Sequence, residues 1–118
     1  MVMVESIINE KSKAFAIRII RLYQYLTKTA TEKEYVLSKQ LLRSGTSIGA
    51  NVKEALRGQS RPDFHAKMNI ALKEASETEY WLELLQATDY IGAESFQSMI
   101  NDNREIIKIL TKIVKNSN

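Results

Sequence analysis

The 118-residue chain contains no cysteine, one proline, four glycines and one histidine. The missing cysteines exclude disulfides, thiolate metal sites and cysteine nucleophiles, and they fit a reducing compartment, so the expected location is cytoplasmic. A single histidine cannot supply the two Glu-x-x-His pairs of a di-iron bundle, and His65 has no Glu three residues before it. It reads as a solvated first-turn residue. Ser44 and Ser47 have no histidine base near them in sequence, so no nucleophilic triad is expected either. Scarce glycine and proline favour helices over sheet. No apolar run approaches the roughly 20 residues that span a bilayer, and no basic segment leads into an apolar core at the N-terminus. Neither a membrane partner nor a secretory signal is expected. What the chain does have is 44% hydrophobic residues, enough for one domain to bury a core without a staple.

Apolar spacing predicts four helices. The first covers about residues 5–28, where Phe15, Ile19, Leu22 and Leu26 recur at helical intervals, widened by Ala16, Ile20 and Tyr23. Thr31 followed by Glu34 has capping-box spacing, which starts a second helix at residue 32, and Gly58 stops it after residue 57. Ser60 with Asp63 repeats that spacing. Pro62 then falls in the first turn of a third helix, residues 61–88, where a missing N–H costs nothing. Its Phe64, Met68, Ala71, Ala75, Thr78, Leu82 and Leu85 form the most regular seam in the chain. Gly92 precedes a fourth helix, residues 93–115, with Phe96, Met99, Ile106, Leu110 and Ile113 inward and Asn103 interrupting the stripe. Short linkers make successive helices antiparallel neighbours. The expected fold is all-α, a single up-down-up-down antiparallel four-helix bundle.

Residues 40–55, QLLRSGTSIGANVKEA, keep helical spacing although Gly45 and Gly49 each cost about 1 kcal/mol relative to Ala. Sorted at about 100° per residue, the helix has Leu37, Leu41, Ile48, Val52 and Ala55 on a core strip. Beside them lies a polar strip of Gln40, Ser44, Ser47, Asn51 and Glu54, then a basic edge of Lys39, Arg43, Lys53 and Arg57. On the other side are Leu42, Gly45, Gly49 and Leu56. If the second and third helices are antiparallel about residue 60, positions whose numbers sum to about 120 face each other. Arg43 then opposes Glu77 and Glu54 opposes Lys67, giving a polar ladder that also takes in Glu74. Such pairs set register more than they stabilise, because desolvation offsets the Coulomb gain. The Gly45–Gly49 spacing fits two readings: close packing within one chain, or a subunit contact built with Leu42 and Leu56. A phosphate-binding loop is excluded by the missing GK[ST] ending and the lack of a preceding strand.

These residues resemble a family. The run from Gln40 to Asn51, then Glu54-Ala55, Ala71-Leu72-Lys73-Glu74-Ala75, Glu77-Thr78 and Tyr80-Trp81-Leu82, is similar to the four-helix bundle proteins encoded in bacterial 23S rRNA intervening sequences. That family is in turn similar to the accessory variability proteins of diversity-generating retroelements. The resemblance covers essentially the whole chain. It implies an up-down bundle assembled as a homo-oligomeric ring or barrel, a pentamer, with a basic surface that binds nucleic acid, and in the retroelement branch a reverse transcriptase as partner. The retroelement proteins are as a rule more basic than this chain, whose net charge is +3.

Charge is unevenly distributed. Residues 1–29 carry five Lys/Arg against two acids and residues 33–61 six against two, whereas residues 62–88 carry two against five. Part of this asymmetry can be neutralised between neighbouring helices. The remainder suggests a basic surface: Lys11, Arg18, Arg21, Tyr25 and Lys28 share one strip of the first helix, extended by Lys39, Lys53 and Arg57 on the second. Tyr35 and Tyr80 are candidate subunit contacts, and Trp81 is expected to pack near Gln40. No catalytic residue, metal site or cofactor is expected. On the residues alone these strips read as an ordinary solvated face; with the family resemblance the expectation is a non-enzymatic oligomeric bundle that binds RNA or DNA nonspecifically. A protein-interaction scaffold without nucleic-acid binding is the alternative.

Overall fold

The computed structural model describes residues 2–117, all of whose regular structure is helical. Helix α1 (Val2–Gln24) runs into a π-helical turn, Tyr25–Thr29, whose closing bond is donated by Ala30 N to Tyr25 O at 2.8 Å. Helix α2 covers Leu37–Leu56, α3 Arg61–Ala87 and α4 Ala93–Asn116.

The start of α2 corrects the capping-box expectation by five residues. Glu34 does not sit in the first turn. It precedes the helix and folds forward: its Oε2 accepts from Val36 N at 3.0 Å and Leu37 N at 2.9 Å, its Oε1 from Ser38 N at 2.6 Å. One carboxylate thus satisfies three backbone donors at a helix start, where four would otherwise be orphaned. The Ser38 hydroxyl donates back to Glu34 O at 2.7 Å, and Glu34 N donates to Leu26 O at 2.9 Å, tying the linker to the π turn. At α3 the sequence expectation holds, since the Ser60 hydroxyl accepts from Asp63 N at 3.2 Å. The C-terminus of α3 is closed by Asp89, which takes φ 68° so that Tyr90 N can reach Leu85 O at 2.9 Å.

Cross-helix contacts give the directions. Lys67 meets Glu54 and Thr78 meets Ser44, so α2 and α3 run antiparallel. Lys11 meets Glu105 and Arg18 meets Asp102, which makes α1 and α4 antiparallel as well. The result is a bundle 47 × 20 × 19 Å. Six of the seven seam residues of α3 are buried, and they meet Ile8, Phe15 and Ile19 of α1, Leu41, Ile48 and Val52 of α2, and Met99, Ile106 and Leu110 of α4 in one core. α2 lies against both α1 and α3, whereas α1 and α4 meet along a much narrower seam.

The core admits a few polar groups. Thr78 Oγ1 lies 2.9 Å from Ser44 Oγ and 2.8 Å from Glu74 O. One hydroxyl proton cannot serve both, so when Thr78 donates to the carbonyl it accepts from Ser44. Asn103, fully buried, donates to Ala75 O at 2.8 Å, and its Oδ1 has no partner among the described residues. The interruption of the α4 stripe is therefore part of the core and not a gap in it. No helix among the described residues is long and apolar enough to cross a membrane.

Candidate nucleic-acid interface

The three faces of α2 appear as sequence spacing predicts, but their contents are used differently. Gly45 is buried against Ile19: a Cβ built there would lie 2.7 Å from Ile19 Cγ1. At Gly49 a Cβ would lie 3.4 Å from the Ser12 carbonyl and hydroxyl oxygens. Both glycines thus face α1 of their own chain, and of the two readings the close-packing one describes them. Leu42 and Leu56, proposed with them as subunit contacts, are partly buried against the core. Tyr35 and Tyr80 remain more than half exposed and available to a partner.

On the polar strip Lys67 Nζ donates to Glu54 Oε1 at 2.9 Å, in the predicted register. The bond to Glu54, with that carboxylate's charge, raises the Lys67 pKa. The other rung, Arg43 with Glu77, is not closed by an ion pair among the described residues. Glu77 accepts from Trp81 Nε1 at 3.0 Å, and the Arg43 charge acts on Glu74, one turn nearer the N-terminus of α3. Burial and the neighbouring Glu77 raise the Glu74 pKa, and Arg43 only partly opposes them. The rest of the strip is bonded locally: Ser47 Oγ donates to Arg43 O at 2.7 Å and Asn51 Nδ2 to Ser47 O at 2.9 Å, while Gln40 is exposed. Trp81 stands against Tyr80, ring centroids 5.3 Å apart. His65, expected to be solvated, is half-buried, with Nδ1 2.8 Å from the Ser117 hydroxyl.

The α1 strip divides in two. Lys11 pairs with Glu105 at 3.2 Å, and Arg18 reaches Asp102 at 2.6 Å and the Ser98 hydroxyl at 3.0 Å. These two cations close the seam with α4. Sequence reasoning missed their partners, because α1 and α4 share no turn about which antiparallel positions could be counted. Arg21, Tyr25 and Lys28 are exposed, as are Lys39, Lys53 and Arg57 on α2. None of these five cations has an ion-pair partner among the described residues. A shallow basin of about 800 Å³ beside the α2–α3 turn is lined by Lys53, Arg57, Ser60 and Lys67 together with Glu54 and Asp63. No group of three or more metal-ligating side chains occurs among the described residues.

With the bundle and its surface charge described, comparison with known proteins decides the family. Residues 5–112 match the 23S rRNA-intervening sequence protein family. The chain belongs to that family. A solved relative within this group is a protein of unknown function from the S23 ribosomal protein family of Bacteroides thetaiotaomicron VPI-5482. It is 54% identical, with a TM-score of 0.91 over 95% of this chain and 98% of that one. No curated protein matches. The family match and this relative carry a fold, and the relative is itself a protein of unknown function.

Proposed function

We propose that this 23S rRNA-intervening sequence family member is a non-enzymatic, cytoplasmic bundle that self-associates and binds RNA or DNA without sequence preference. The observation that supports nucleic-acid binding most is the set of cations left unpaired on the outside of α1 and α2: Arg21, Lys28, Lys39, Lys53 and Arg57. Phosphate contacts need mobile, solvent-facing Lys and Arg, and sequence readout would need an element shaped for a groove. Self-association is supported by large apolar side chains on the outside, among them Ile17, Ile20, Tyr35, Val36 and Tyr80.

The test is fluorescence anisotropy of labelled 20-nucleotide RNA and DNA across a salt series. Five phosphate contacts give a log–log salt slope of about −3.5 to −4.5, so affinity should drop more than a hundredfold between 50 and 200 mM salt. Absence of binding at about 50 mM salt, with protein at tens of micromolar, would reject this part of the proposal. A light-scattering mass equal to the 13.5 kDa chain at micromolar concentration would reject self-association. A scaffold that binds only protein is favoured by the exposed tyrosines, and charge reversal separates the two. Lys53 and Arg57, exposed and outside every ion pair among the described residues, are suitable positions. Arg18 is not, because its reversal would also break the α1–α4 pair with Asp102.

A further inference from the structure

Charge in this bundle is distributed along its long axis. At one end the N-terminus of α1, the α2–α3 turn and the C-terminus of α4 come together. His65 touches Ser117 there, and a cavity of about 400 Å³ is bounded by Val4, Arg61, Phe64, Lys112 and Ile113. Residues 2–11, 50–69 and 107–117, which build this end, contain eight Lys/Arg against four Asp/Glu. At the opposite end, residues 22–40 and 80–97 contain three against five. Within this end Glu54 pairs with Lys67, and Lys11 pairs with Glu105 just beyond it, which leaves six Lys/Arg against three acids. The two ends are some 47 Å apart, several Debye lengths at physiological salt, so a ligand at one does not feel the other.

We infer that nucleic acid docks on the basic end of the bundle, with its sugar-phosphate backbone across Lys53, Arg57 and Arg61 beside the α2–α3 turn. This rests on the proposed nucleic-acid binding and narrows it to one face. Lys28 and Lys39, equally exposed, stand where acids outnumber bases, so the local potential there opposes a polyanion. Lys53 and Arg57 stand where the surrounding charge adds to their own. They also border the 800 Å³ basin, and Arg61 borders the second cavity, so the cations flank concave surface on both sides of the turn. The end face, about 20 by 19 Å, is wide enough for the three cations to meet separate phosphates of one strand.

The experiment compares the full chain with two triple variants of equal charge change. Lys53→Gln/Arg57→Gln/Arg61→Gln alters the basic end, and Arg21→Gln/Lys28→Gln/Lys39→Gln alters the other exposed cations. Binding to a labelled 20-nucleotide RNA is measured across a salt series. Melting curves and light-scattering masses must match the parent for both variants, and single substitutions replace a triple that does not fold. The expected result is at least a tenfold loss for the basic-end variant at about 50 mM salt, with a salt slope shallower by about 2, against a loss under threefold for the other. Equal losses, or a larger loss in the second variant, would overturn the end-on placement and leave nucleic-acid binding standing. No binding by the parent chain would overturn both. Poly-glutamate binding as tightly as RNA, with the same dependence on Lys53, Arg57 and Arg61, would overturn the nucleic-acid assignment in favour of an acidic protein partner.

Discussion

Gly45→Ala is the substitution whose outcome depends most directly on how α1 and α2 meet. The added Cβ would lie 2.7 Å from Ile19 Cγ1, 2.9 Å from Cγ2 and 3.0 Å from Cδ1. Ile19 is fully buried, so it has no solvent into which to swing. Overpacking of this kind costs about 1–3 kcal/mol, while replacing Gly by Ala inside a helix returns about 1 kcal/mol. The expected net loss is about 1 kcal/mol, which lowers Tm by roughly 4 °C in a domain of this size. Gly49→Ala should go the other way, because its Cβ would meet Ser12 oxygens at 3.4 Å, an ordinary contact distance. There the helix-propensity gain of up to about 1 kcal/mol is kept. Urea unfolding followed by circular dichroism reads both, at one fixed protein concentration, since self-association would make stability concentration-dependent. Adding Ile19→Ala to Gly45→Ala removes all three close contacts. The double-mutant cycle should therefore show a favourable coupling of about 1 kcal/mol or more. A Gly45→Ala protein as stable as the parent, or a Gly49→Ala protein that is the less stable of the two, would refute the close-packing account.

Glu34→Gln should cost about 1–2 kcal/mol near neutral pH, because it replaces a charged acceptor of three backbone N–H groups by an amide oxygen. Burial pushes the Glu34 pKa up, but the bonds from Leu37, Ser38 and Val36 together outweigh it and hold the carboxyl below its ordinary 4.5. A folded-state pKa below the unfolded one means the contribution is complete above 4.5 and is lost as pH falls through the folded value. The stability gap between parent and variant should therefore close in acid, and a gap independent of pH would contradict the carboxylate cap. Asn103→Leu removes one buried hydrogen bond together with an unpartnered Oδ1, so urea unfolding should show it neutral or more stable by about 1 kcal/mol. Asn103→Asp, which buries a carboxylate in the same place, should lose about 3 kcal/mol or more. A loss above about 1 kcal/mol for the Leu variant would mean that an ordered water satisfies Oδ1 in solution.

The α3 seam was legible in the sequence because a helix packed between two neighbours must repeat apolar residues at fixed intervals, and only Phe64, at the bundle end, escapes full burial. The start of α2 was not. Thr31-x-x-Glu34 and a forward-folding Glu34 are the same local sequence, and the choice between them is made by contacts such as Glu34 N to Leu26 O. Antiparallel counting located Glu54–Lys67, whereas Arg43 forms no ion pair with Glu77 among the described residues. Trp81 already engages Glu77, and the Arg43 charge is felt by Glu74. Within the candidate surface, the exposure of Lys53 and Arg57 followed from their angle on the helix. The loss of Lys11 and Arg18 to α4 depended on which helix closes the bundle, something a single helix's pattern does not contain.

The narrow α1–α4 seam has a kinetic consequence. The broad interfaces join helices adjacent in sequence, and only the seam with Lys11–Glu105 and Arg18–Asp102 requires the two ends of the chain to meet. Three hairpin-like associations can form before that closure, each over a short loop, so low contact order should let the protein fold within milliseconds. The exposed ion pairs that finish the bundle are then its last native contacts and the first to open. Amide exchange should accordingly be faster along the outer edges of α1 and α4 than in α2 and α3, and faster still as salt rises.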